Sequence, residues 1–158
     1  MRKNFLSVTV LSLVASVMIS CGTSATTVNE TIVAKTDRVF DLMNQATDAA
    51  DNEDYETALA TLDTLIPYVE ESKEIISKME NKPGEQFIQA AVAFLDLFPE
   101  GIADYKKAIG IYQIAENNAQ LKESYDLANN FINKVNAKYT ELGKIQVEFA
   151  DANGLTLR

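Results

Sequence analysis

The sequence predicts an all-α fold, an antiparallel up-and-down bundle of four long helices with the third kinked or broken near Pro99. Three observations carry this. Apolar residues recur three and four positions apart along four segments between Ile32 and Phe149, which is the spacing of one helix face. No segment shows the two-residue alternation of a strand. The breaks between stripes are short and polar, and short connections between long helices make antiparallel neighbours. Residues 32–150 suffice for one core and one domain. Cys21 is the sole cysteine, so no disulfide inside the chain can support that core.

The first helix is expected to start at Ile32. Ile32, Thr36, Val39, Met43, Ala46 and Ala50 form its stripe, and Asp51-Asn52-Glu53-Asp54 ends it. Asp54 is suited to cap the next helix, with Glu56 in the first turn favoured by the helix dipole. The second helix carries Tyr55, Leu59, Leu62, Ile66, Val69 and Ile76, with Lys73 interrupting and Glu70, Glu71, Lys78 and Glu80 on the solvent side. Pro67 removes the backbone bond to the Asp63 carbonyl and should kink this helix. Alanines 46, 49, 50, 58 and 60 flank the first turn, where small side chains let two helices approach closely.

Asn81-Lys82-Pro83-Gly84 is a strong turn. The third stripe is Ile88, Ala91, Leu95, Phe98, Ile102, Tyr105, Ile109 and Tyr112. It crosses Phe98-Pro99-Glu100-Gly101 without losing phase, which implies two helical pieces sharing one face. A full reversal there would instead make five helices. Asn117-Asn118 marks the next turn. The last helix carries Leu121, Tyr125, Ala128, Ile132, Val135, Tyr139, Leu142 and Phe149, with Gln146 as its polar member. Leu127, Phe131 and Ile145 widen that face beyond a two-stranded seam. Residues 151–158 read as a frayed tail, and the polar residues 22–31 as a flexible tether reaching at most about 35 Å.

Ahead of the tether, Arg2 and Lys3 precede an apolar run from Phe5 to Ile19 that closes on Met18-Ile19-Ser20-Cys21-Gly22. A basic start and an apolar stretch of this length make a signal peptide rather than a membrane span. The closing residues resemble the lipobox of bacterial lipoproteins, with Met18 where that family usually has Leu. The resemblance implies cleavage after residue 20, a diacylglycerol thioether on Cys21 and an acyl chain on the new amino group. Several chains anchor a protein where one would not. Lipoproteins kept at the inner membrane often carry Asp after the cysteine. Gly22 stands there, so the resemblance implies the outer membrane, with the bundle facing the periplasm.

Composition removes several chemistries. The chain has no His and no Trp. Without His there is no Ser-His-Asp or Cys-His site and no carboxylate–histidine di-iron site. With a single cysteine as well, it has no ordinary zinc site. Its six glycines are scattered, so there is no phosphate-cradling loop. Residues 21–158 carry 12 basic side chains, the full 14 less Arg2 and Lys3, against 23 acidic ones, for a net charge of −11. Such a surface repels phosphate and disfavours nucleic acid.

Three groups of residues are candidates for function. Asp48, Asp51, Glu53, Asp54 and Glu56 crowd the first turn, where calcium binding competes with capping and solubility; their spacing is not that of an EF-hand. Glu70, Glu71 and Glu74 are the carboxylates for an acid–base hydrolase of envelope glycans, against a plain solvated face. Tyr55, Tyr105, Tyr112, Tyr125 and Tyr139 are core tyrosines with hydroxyls at the rim, or an aromatic ligand box. In addition Asp54-Tyr55-Glu56-Thr57-Ala58, Leu62, Leu65 and Pro67, with Ala46 before them, resemble one tetratricopeptide hairpin. That implies a peptide-docking module, but no 34-residue echo follows. The reading that results is a non-enzymatic bundle without cofactor or metal, anchored to the membrane through Cys21 and partnered with another envelope protein.

Overall fold

The structure, a computed structural model, describes residues 22–157. These form an all-α bundle of helices α1 (Ala25–Asp51), α2 (Tyr55–Ser77), α3 (Glu85–Leu95), α4 (Phe98–Ile114) and α5 (Asn118–Ala152), with a 3₁₀ turn at Lys82–Gly84. α3 and α4 are two pieces of one bent rod, which makes four rods in all. At the bend, Asp96 (φ −64°, ψ −15°) and Leu97 (φ −72°, ψ −25°) stay close to helical geometry. The Leu97 N–H reaches only the Phe94 carbonyl, at 3.3 Å. Pro99 has no N–H to satisfy and sits in the first turn of α4, where a proline costs little. The chain bends without reversing, so Ile88, Ala91, Leu95, Phe98, Ile102, Tyr105 and Ile109 all remain buried along one face.

α1 pairs with α2 and α4 with α5, while α3 bridges α2 and α5. The bundle therefore has two ends. One gathers the start of α1, the end of α2, the start of α3 and the end of α5. The other gathers the α1–α2 and α4–α5 turns. Between them lies an aromatic seam: Phe94 meets Phe98 edge-on at 5.2 Å, Phe98 meets Phe131 at 5.8 Å, and Tyr139 stacks on Phe40 at 4.2 Å. Burying each such side chain contributes about 1.5–3 kcal/mol. Gly101 is what lets α4 lie on α5, because a Cβ there would stand 2.0 Å from the Phe131 ring. Ion pairs such as Lys35–Glu71 at 3.0 Å tie neighbouring helices at the surface, where such pairs add little.

Five expectations need correction. Residues 25–31 belong to α1, not to a tether. Ser24 caps the helix by accepting the Thr27 N–H at 3.1 Å, and Val28, one turn before Ile32, is fully buried. The tail is not frayed from Asp151. α5 runs to Ala152 and stops at Gly154 (φ +63°), where the Leu155 N–H reaches the Ala150 carbonyl at 2.9 Å and the Gly154 N–H reaches Asp151 at 3.3 Å. This paired pattern is a Schellman stop, and Leu155 packs against the core. The inward stripe of α2 is Ala58, Leu62, Leu65, Val69, Ser72 and Ile76. Buried Ser72, which bonds its hydroxyl to the Tyr68 carbonyl at 2.6 Å, takes the place expected for a position interrupted by Lys73. Tyr125 is 54% exposed, and Ala60 faces solvent. Apart from these five, Pro67 lies inside α2 on its exposed side, and the helix continues past it to Ser77.

Candidate functional site

The inward stripe of α5 changes character along its length. Phe131, Val135, Leu142 and Phe149 are large and buried, but the two preceding inward positions are Ser124 and Ala128. Opposite them stand Ala50 on α1 and Ala108 on α4. Small residues on three helices leave a cavity of about 250 Å³, open to solvent, at the end formed by the α1–α2 and α4–α5 turns. Its deepest lining is Tyr105, Ala108, Ile109 and Ser124, all buried. Ser124 donates its hydroxyl to the Ala108 carbonyl at 2.8 Å, so no unsatisfied polar group is left there.

Tyrosine rings border this space. Tyr55 and Tyr112 lie 6.0 Å apart at 51°, and Tyr112 meets Tyr125 at 5.9 Å and 71°. The ring planes thus turn toward one another rather than stacking flat. Asp51, the last residue of α1, and Glu53, in the turn after it, both line the cavity, and no basic side chain does. The hydroxyls sense that charge. Tyr112 is raised from the ordinary tyrosine range by its hydrogen bond to Tyr125 first, with Tyr55 and Glu53 adding. Tyr55 is raised by desolvation and then by Glu53. Tyr105 is raised by burial, offset by a hydrogen bond with Thr47, with Asp51 raising it further.

Glu53 owes its position to an uncommon backbone. It has φ +61° and is the one non-glycine residue with positive φ among the described residues. The Asp54 N–H reaches the Ala49 carbonyl at 2.9 Å and the Glu53 N–H reaches Ala50 at 3.0 Å. This is the same stop that closes α5, but with a carboxylate side chain where α5 has glycine. Asp54 then caps α2 by accepting the Thr57 N–H at 3.1 Å, and hydrogen bonding with the Thr57 side chain first, then with its N–H, lowers the Asp54 pKa.

The structure brings four of the five candidate tyrosines together. Tyr139 stands apart, donating to Asp37 at 2.6 Å. Of the other candidates, Asp51 and Glu53 border the cavity and the rest are spread over the surface. Glu71 pairs with Lys35, and Glu74 with Lys78, on the exposed side of α2. Among the described residues no three His, Cys, Asp or Glu side chains gather as a metal site. Residues 1–20 and Cys21 lie outside the described residues. Sequence reasoning placed the tyrosines on core stripes and missed the hollow between them. The available signal was the run of small inward residues, Ala50, Ala108, Ser124 and Ala128. No known family model, curated protein or solved structure matches the chain.

Proposed function

We propose that the chain is a lipid-anchored, non-catalytic binding protein of the bacterial cell envelope, tied to the membrane at Cys21 and presenting the tyrosine-lined cavity away from it. The observation that carries this reading is the separation of the two ends. Thr23, two positions after Cys21, is pinned to the end opposite the cavity: its N–H reaches the Glu80 carbonyl at 2.8 Å, and its carbonyl accepts the Asn81 side chain at 2.6 Å. α1 then spans 27 residues, about 40 Å, to the turn at the cavity. An anchor at Cys21 would hold the bundle close against the membrane and point the cavity at the periplasm from the outer membrane. There it can meet a small ligand or another envelope protein.

A binding role suits the site better than catalysis. Its two carboxylates come from the end of α1 and the turn after it and do not face each other across the cavity, as paired acid–base chemistry requires. No described helix is long and apolar enough to cross a membrane, so the acyl chains would supply the attachment. Replacing Cys21 by Ala tests the anchor. The variant should lose metabolic fatty-acid labelling and pass from the membrane fraction to the soluble one. Retention of the variant in the membrane fraction would overturn the reading.

A further inference from the structure

We infer that the tyrosine-lined cavity binds a small organic cation bearing an alkylated ammonium group. The inference rests on reading this cavity as a binding site, and is independent of the anchor.

Size, ring geometry and charge lead to the same class of ligand. The space of about 250 Å³ exceeds the roughly 150 Å³ that holds benzene in an engineered apolar cavity. A head group of five to ten heavy atoms fits, and a folded peptide element does not. The rings of Tyr55, Tyr112 and Tyr125 stand at 51° and 71° to their neighbours, so faces and edges of different rings border one volume. A ring face attracts a cation through its quadrupole, and alkyl groups on the nitrogen fill apolar surface that a hydrated ammonium would leave wet. Asp51 and Glu53 supply opposite charge beside the rings, with no basic lining residue to cancel it. Glu53 is held there on a backbone that glycine would adopt more easily. The whole surface favours the same ligand, since a net charge of −11 over residues 21–158 draws cations and repels anions. A metal ion fits less well, because the lining offers only two carboxylates, Asp51 and Glu53, and a hard cation takes about six or more oxygen ligands.

The test is calorimetric titration of the purified full-length protein in non-ionic detergent. Three probes are compared: choline, its uncharged carbon isostere 3,3-dimethylbutan-1-ol, and phosphocholine. Choline should bind saturably and at least tenfold more tightly than the isostere. Its affinity should fall several-fold between low salt and 150 mM salt. Tyr112→Leu should weaken binding at least tenfold and Asp51→Asn several-fold, with thermal midpoints close to the parent's. Ala128→Phe, which fills the hollow and leaves the rings in place, should abolish binding. Equal affinity for choline and its neutral isostere would overturn the cation inference while leaving a binding cavity in place. Binding unaffected by Ala128→Phe would move the site elsewhere and overturn both readings. Tighter binding of phosphocholine would reassign the site to a lipid head group. No heat and no saturation with choline up to tens of millimolar would sink the inference outright.

Discussion

The two ends of this bundle are built from the same kind of helices and finished differently. At the end holding Thr23 the core is filled with large side chains, and the hollow there lies outside it, an open surface groove between residues 22–23 and 77–89. Phe87 and Phe149 lie 5.3 Å apart, Asn81 bonds both Thr23 and Gly84, and Leu155 folds back onto the core after the α5 stop. At the other end the inward positions shrink to Ala50, Ala108, Ser124 and Ala128, and tyrosines border the hollow. Packing large side chains gains stability with each methylene buried. Leaving a hollow forfeits contacts that a tighter end would make. The bundle tolerates that loss at one end because the other end and the aromatic seam supply the cohesion. The same helices are therefore closely packed through the core at one end and held apart by small residues at the other.

The sharpest way to break this contrast is at Gly101, where α4 lies directly on the Phe131 ring. A Cβ there would be 2.0 Å from one ring carbon and 2.1 Å from another. Neither the ring, itself buried, nor the helix backbone can yield by that much without repacking. Gly101→Ala should therefore destabilise by about 3 kcal/mol, although alanine is the better helix former by about 1 kcal/mol. Urea unfolding reads the loss directly. A variant as stable as the parent would show that the seam is not the source of cohesion.

A smaller effect separates packed tyrosine from bordering tyrosine. Tyr139 stacks on Phe40 and donates to Asp37, and its pKa is pushed well above the ordinary range, by burial first and then by the bond to Asp37 and the charges of Asp37 and Asp41. In the unfolded chain Tyr139 loses its proton near pH 10, while the native state still holds it. The unfolded state therefore binds fewer protons above pH 10, and stability falls as pH rises through that range. Its contribution is fully present below pH 10. Tyr139→Phe should cost about 1 kcal/mol at neutral pH through the lost bond. It should also flatten the alkaline decline measured by thermal unfolding between pH 9 and 11. An unchanged decline would place its source elsewhere.

These positions show why the fold was legible and the cavity only partly so. A three-and-four stripe reports which face is inward, and it reported Ile32 through Ala46 and Ile88 through Ile109 correctly. It carried no information on how far apart two inward faces lie. Ala128 therefore read as one more core position, although the structure makes it a wall of an open space. Gly101 read only as part of the kink or break near Pro99, while its actual role is a helix contact that only the partner ring reveals. The tether failed for a local reason. Ser24 and Thr27 look like linker residues until Val28 is seen to fall in phase with Ile32. The C-terminal stop at Asn153-Gly154-Leu155 was readable in principle, as a glycine followed by an apolar residue after a helix.

The smallest expected effect links the two ends most directly. α1 and α5 finish with the same backbone stop, at φ +61° on Glu53 and φ +63° on Gly154. An L-residue in the left-handed region costs about 1–2 kcal/mol. Glycine loses about 0.5–1 kcal/mol more chain freedom on folding than a residue with a side chain. Glu53→Gly should thus stabilise the protein by roughly 0.5–1 kcal/mol, raising the urea midpoint. The same substitution removes one of two carboxylates from the cavity and should weaken choline binding several-fold. Stability and affinity would then move in opposite directions from a single change. That opposition separates a residue held in strain for its charge from one that merely ends a helix: if affinity stayed constant while stability rose, Glu53 would be only a helix stop, and Asp51 would carry the charge of the site alone.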